Sequence, residues 1–203
     1  MIRQMEIAAW LSASAVEFAL LMVILRRGTF RRLPLFSGYI ALDWLRGFAL
    51  LLIWLAGTRG DYSKFFIVTE PMGMLLLFVA GVEAHGALTH TRPGLLVYVV
   101  TVACLGIGGM LMTPPGVHLP YERMFLYRTL TAFLLWTALL VTSVWHGRWN
   151  LHATVFLLYC MADMTLYWSI LLAAPRWTAE TFGMVSQGMC FVAWVWWVRR
   201  HAV

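Results

Sequence analysis

The chain has 203 residues, 62% of them apolar and 12% charged, with a mean hydropathy of +0.78 and a formal charge of +6. A soluble domain carries about 45–50% apolar and roughly 25% charged residues, and surface grows too fast relative to volume for so short a chain to hide this much apolar side chain. Disorder, fibrous repeats and a nucleic-acid-binding domain are disfavoured by the same arithmetic. The expected class is an all-α membrane protein forming a single transmembrane domain over residues 1–203.

Seven apolar stretches are long enough for a hydrocarbon core, which takes about 20 helical residues. In chain order they are Ile7–Leu25, Leu35–Gly57, Lys64–Ala84, Leu95–Met112, Met124–Trp145, Leu151–Ala173 and Trp177–Val198. Backbone polar groups in lipid must be satisfied within the span, so helices are expected, and no alternating pattern of a barrel appears. The first span does not read as a cleaved signal, because Arg26 and Arg27 follow it where small residues belong. Connections are short. Basic residues concentrate in them, with Arg26, Arg27, Arg31 and Arg32 in the first loop. Loop by loop, eight Lys or Arg fall on one side and five on the other. The positive-inside rule then puts the amino terminus outside and the carboxy terminus in the cytoplasm, in what is expected to be a bacterial inner membrane. Trp194, Trp196 and Trp197 before Arg199 fit an aromatic belt at the cytoplasmic interface. Cys104, Cys160 and Cys190 lie in apolar runs without CxxC spacing and read as small buried side chains.

Comparing the chain with itself gives two matches. Tyr39-x-x-x-Asp43 in the second span returns as Tyr159-x-x-x-Asp163 in the sixth, and Glu70-x-x-Gly73-Met74 in the third as Glu180-x-x-Gly183-Met184 in the seventh. Two three-helix units joined by a linker helix would produce this pairing, and both units would then share one orientation. Chance matches in a biased sequence are the alternative. The three-plus-one-plus-three layout resembles that of the SWEET, PQ-loop and PnuC transporters over the whole chain, although no Pro-Gln pair stands in the first or fifth span. The stretch Arg31–Tyr39 is similar to uncharacterised bacterial seven-helix integral membrane proteins, a likeness that implies no activity. A rhodopsin is rejected, since the only lysine, Lys64, lies at the start of the third span.

The informative residues are those that cost most where they sit. Glu17, Asp43, Arg46, Glu70, Arg128 and Asp163 all fall inside apolar runs. A charge at the centre of a membrane helix costs roughly 2.5–3.5 kcal/mol, so such groups face the bundle interior, paired or neutralised. Asp43 and Arg46, three apart, share a helix face and can pair. Four acids against two arginines leave two negative charges in excess if all are ionised. A proton or a bound cation would remove that excess. Tyr39, Asp43 and Arg46 form one polar stripe, and Tyr159, Asp163 and Tyr167 another. Pro71 and Gly73 beside Glu70 could open the third helix locally. Trp44, Trp136 and Trp168 could wall a pocket.

A third group lies at the cytoplasmic helix ends. Glu83, His85, His146 and His152 are candidate metal ligands, but no HExxH or paired-His spacing supports them and no cofactor is expected. No GxSxG, P-loop or dinucleotide fingerprint occurs. Three readings follow. The first is a small transporter or channel in which Glu17, Asp43, Arg46, Glu70, Arg128, Asp163, Tyr39 and Tyr159 bind a small polar or cationic solute or carry protons. The second is an accessory or assembly subunit of a larger membrane complex. The third is a membrane enzyme using the His group. Expected partners are the lipid bilayer, such a solute, and membrane proteins or further copies of the chain, but not nucleic acid.

Overall fold

The computed structural model describes residues 2–57, 59–89, 120–147, 150–171 and 176–201. All regular structure in them is helical. The helices are α1 (Ile2–Arg27), α2 (Pro34–Leu55), α3 (Arg59–Thr89), α4 (Pro120–His146), α5 (Leu151–Leu171) and α6 (Arg176–His201), with a short 3-10 turn, Thr29–Arg31, between α1 and α2. The expected fourth span, Leu95–Met112, lies outside the described residues. α1, α2, α3, α4 and α6 each contain a stretch long and apolar enough to cross a membrane, and Leu151–Tyr167 of α5 is a shorter apolar helix. The helices overrun several expected spans: α1 begins five residues before Ile7, and α3 extends five residues beyond Lys64–Ala84 at each end. Helical hydrogen bonding continues into the interfaces, which a hydropathy boundary does not register.

Local signals set the ends. Gly28 follows α1 with φ 66° and Gly147 follows α4 with φ 59°, the left-handed conformation that closes a helix cheaply only at glycine. Pro34 opens α2, where its missing N–H costs nothing. Asn150 caps α5 by accepting the Ala153 N–H at 2.7 Å. The N-terminus of α2 is capped from another helix, for Glu83 on α3 accepts the N–H groups of Leu35 (3.2 Å) and Phe36 (2.8 Å). A carboxylate there also meets the positive end of the helix dipole.

Each helix packs against its neighbours in sequence, and α6 closes the ring onto α1; α3 and α5 also touch across the interior. The contacts give the helix directions. Glu70 meets Arg128, and Gly81 lies under Leu135, so α3 and α4 run the same way. Phe36 packs on His152 and Tyr39 bonds Tyr159, so α2 and α5 run together in the opposite sense. The core joins Leu20, Ile24, Leu77, Leu135, Phe156, Phe191 and Trp194 from five helices. Cys160 and Cys190 are buried free thiols, as expected of small apolar side chains.

A candidate site built on a chain of buried charges

Four helices, α1, α3, α4 and α5, each bring one charged group to the interior, and α2 brings two. On α2, Asp43 Oδ1 accepts from Arg46 Nη2 at 3.0 Å, the three-residue spacing placing both on one face. Arg46 Nη1 donates to Glu70 Oε2 on α3. The other oxygen of Glu70 accepts from Arg128 Nη1 of α4 at 2.7 Å. Arg128 Nε then donates to Asp163 Oδ2 of α5 at 2.8 Å, and Gln187 Nε2 of α6 donates to Asp163 Oδ1 at 3.0 Å. Acid and base alternate along the whole run. Each arginine thus meets two carboxylates, which is how a guanidinium with five donors in a plane offsets its own desolvation. Arg128 also lies over the Tyr167 ring, 5.3 Å from its centroid.

Two tyrosines close the cluster. Tyr39 and Tyr159 share a 2.6 Å hydroxyl–hydroxyl bond, and each hydroxyl lies 3.5 Å from Asp43 Oδ2. Glu70 and Asp163 are fully buried and Arg128 is 2% exposed, whereas the side chains of Asp43 and Arg46 remain 13% and 11% exposed. Asp43 and Arg46 also line a cavity of about 170 Å³ between α2 and α3, together with Tyr39, Phe65, Thr69 and Met72 among others. Glu17, on α1, is buried but stands outside the run. It lies in electrostatic reach of Asp43, Arg46 and Arg128, and its Oε1 has no hydrogen-bond partner.

All eight residues singled out for solute or proton binding are therefore interior or at the cavity, and seven of them form one hydrogen-bonded cluster. Three features differ from expectation. Asp43 and Arg46 do not form a self-contained pair, because Arg46 reaches Glu70 as well. α3 stays helical across Pro71, and the room at Gly73 is occupied: a Cβ there would sit 2.9 Å from Arg46 Nη1. Trp44 stacks on Phe48 at 5.7 Å and does not wall the cavity. Gln187 was missed by sequence reasoning. Its signal was an amide in an apolar run, seven residues after Glu180 and so on the same helix face.

The candidate metal ligands are arranged otherwise. Glu83 spends its carboxylate on the α2 N-terminus. His152 is enclosed by aromatic rings, 4.9 Å from Phe36 and 4.8 Å from Trp197 between centroids. The His146 side chain lies outside the described residues, and His85 takes part in interactions of its own. Among the described residues no three His, Cys, Asp or Glu gather as a metal site.

The repeated residues occupy equivalent places. Tyr39 and Tyr159, 120 residues apart, touch each other. Gly73 lies under Arg46 and Gly183 under Leu166, within 2.9 and 2.8 Å of an added Cβ. Arg46 and Leu166 are themselves 120 apart, and the glycines 110 apart, so the α2–α3 and α5–α6 pairs have close contacts at matching positions. No family model, curated protein or solved structure matches the chain.

Proposed function

We propose that the chain is a seven-span transporter for a small polar or cationic solute, built of two three-helix units, α1–α3 and α4–α6, that move against each other. Its carboxy terminus is assigned to the cytoplasm and its membrane to the bacterial inner membrane, on the distribution of Lys and Arg. Parallel α3 and α4 support the seventh span. Thr89 and Pro120 stand at opposite ends of a bundle about 40 Å long. The closed ring supports the two units, because exchanging α1–α3 with α4–α6 returns the same neighbours in the same order.

One observation carries the transport reading. Within the charge chain of the described residues, α1–α3 and α4–α6 are joined by the Glu70–Arg128 ion pair and by the Tyr39–Tyr159 bond with its neighbour Asp43. Every other link in the charge chain lies within a unit. A residue that touches its own repeat counterpart lies on the axis relating the two, and rocking of the units about an in-plane axis through that contact would open one side while closing the other, as in repeat-built transporters. Breaking the Glu70–Arg128 ion pair would expose both charge clusters to incoming water or solute. Glu17, with one carboxylate oxygen unpaired, is assigned as a proton carrier.

The burial of Glu70, Arg128 and Asp163 favours a second reading, in which the chain of charges is a permanent lock and the protein an accessory subunit. Thiol labelling of Asp43→Cys and Asp163→Cys in a Cys-free background separates the two. Transport requires at least one of the two cysteines to react with a membrane-impermeant reagent from one side of the bilayer. No reaction from either side, at any pH or salt composition at which the protein stays folded, overturns it.

A further inference from the structure

The charge chain has an uncapped end. Asp43, Glu70 and Asp163 supply three negative charges against two from Arg46 and Arg128, so one is left over. At the α5 end, Asp163 has both oxygens occupied, one by Arg128 and one by the Gln187 amide. At the α2 end, Asp43 has only Oδ1 on a cation; Oδ2 meets two tyrosine hydroxyls at the 3.5 Å limit of a hydrogen bond. Asp43 is therefore the less completely paired end of the chain, and it is the carboxylate that lines the 170 Å³ cavity. A cavity of this size beside an incompletely paired carboxylate is built for a positive group.

Its walls say what kind. Tyr39, Asp43, Arg46 and Thr69 are its polar residues, the Thr69 hydroxyl being spent on the Phe65 carbonyl, while Leu45, Phe65 and Met72 are among the apolar ones. Leu45 and Met72 are more than half exposed on the membrane-facing surfaces of α2 and α3 and form the rim. Phe65 adds an aromatic wall of the sort that attracts cations. An inorganic ion would leave those apolar walls unused. We infer that the α2–α3 cavity binds an organic monocation, an ammonium group carrying a short apolar chain, with the ammonium on Asp43 and the chain running out between Leu45, Phe65 and Met72. This rests on the transport reading and names its substrate class. It also makes the two repeated aspartates unequal, with Asp43 the ligand-binding one and Asp163 structural.

The test uses n-pentylammonium chloride and n-pentanol, which share a chain and differ in charge, with purified full-length protein in detergent. Binding is read by isothermal titration and by the shift of the thermal unfolding midpoint. Pentylammonium is expected to bind saturably and pentanol at least about tenfold more weakly, since one charge-assisted contact is lost. Asp43→Asn, which keeps an oxygen for Arg46, should lose about the same factor. Should Asp43→Asn fold poorly, Leu45→Trp, which fills the cavity and leaves every charge in place, should abolish binding; Gln187→Leu, at the far end of the chain, should not. Equal binding of pentanol, retained binding in Asp43→Asn or Leu45→Trp, or no saturable binding to the wild type would each overturn the inference. If pentylammonium fails while Asp43→Cys is labelled from the aqueous phase, only the ligand class falls. If both fail, the transport reading falls with it.

Discussion

Arg128 is the residue on which most depends. It alone links Glu70 to Asp163, and both of those carboxylates are otherwise sealed in the bundle. Arg128→Leu should therefore cost about 3–5 kcal/mol, the usual price of leaving a buried charge unpaired, and a thermal melt in detergent should show it as a large drop in midpoint. Adding Asp163→Asn to Arg128→Leu should recover part of that loss, because Glu70 keeps Arg46 whereas Asp163 is left with only the Gln187 amide among the described residues. The tyrosine pair is a smaller matter. Tyr39→Phe and Tyr159→Phe should each cost about 1 kcal/mol, and the double variant should cost less than their sum, since the two hydroxyls serve one bond. At this scale the sequence showed which residues carry charge inside the membrane, and the three-residue spacing of Asp43 and Arg46 showed one pairing. It could not show that Arg128 would choose both Glu70 and Asp163. That choice depends on the rotation of three helices about their own axes, which no single-helix pattern records.

The α2–α3 and α5–α6 contacts match at Gly73 and Gly183, as the proposed repeat requires. Gly73 and Gly183 each admit a side chain from the middle helix of their own unit, but the two side chains differ in freedom. Arg46 is pinned by Asp43 and Glu70, whereas Leu166 ends in methyl groups. Gly73→Ala should consequently destabilise by about 1–3 kcal/mol, and more than Gly183→Ala, in paired unfolding measurements. Glu83 belongs to the same scale, since it fixes α3 to the start of α2. Glu83→Ala should cost about 1–2 kcal/mol in the same assay and leave any bound-metal content unchanged. The repeat was also longer than the two matches first suggested: Phe36-x-x-Tyr39-x-x-x-Asp43 returns as Phe156-x-x-Tyr159-x-x-x-Asp163. Both phenylalanines are buried against Trp194, so the added identity is a packing one. Helix identity and order were legible because hydropathy over twenty residues outweighs local detail. Helix ends were less so: α3 runs through Pro71 because its neighbours hold it.

At the scale of the whole molecule, composition and hydropathy made the membrane class and the helical architecture legible, while the order of helices around the ring was set by side-chain fit. The account stands on two rigid units that hinge near Tyr39 and Tyr159 and are latched by Glu70 and Arg128. Distances between paired spin labels test this most directly. One pair spans the units at one end of the bundle, Asp61 with Phe182, and the other at the opposite end, Arg27 with Trp145; all four lie on the surface. Wild-type protein in lipid should give one dominant distance for each pair. Glu70→Gln, which weakens the latch, should give a second population in both, longer at one end and shorter at the other. Distance distributions that are unchanged in both pairs when Glu70 is neutralised would show one immobile bundle, and would contradict the account.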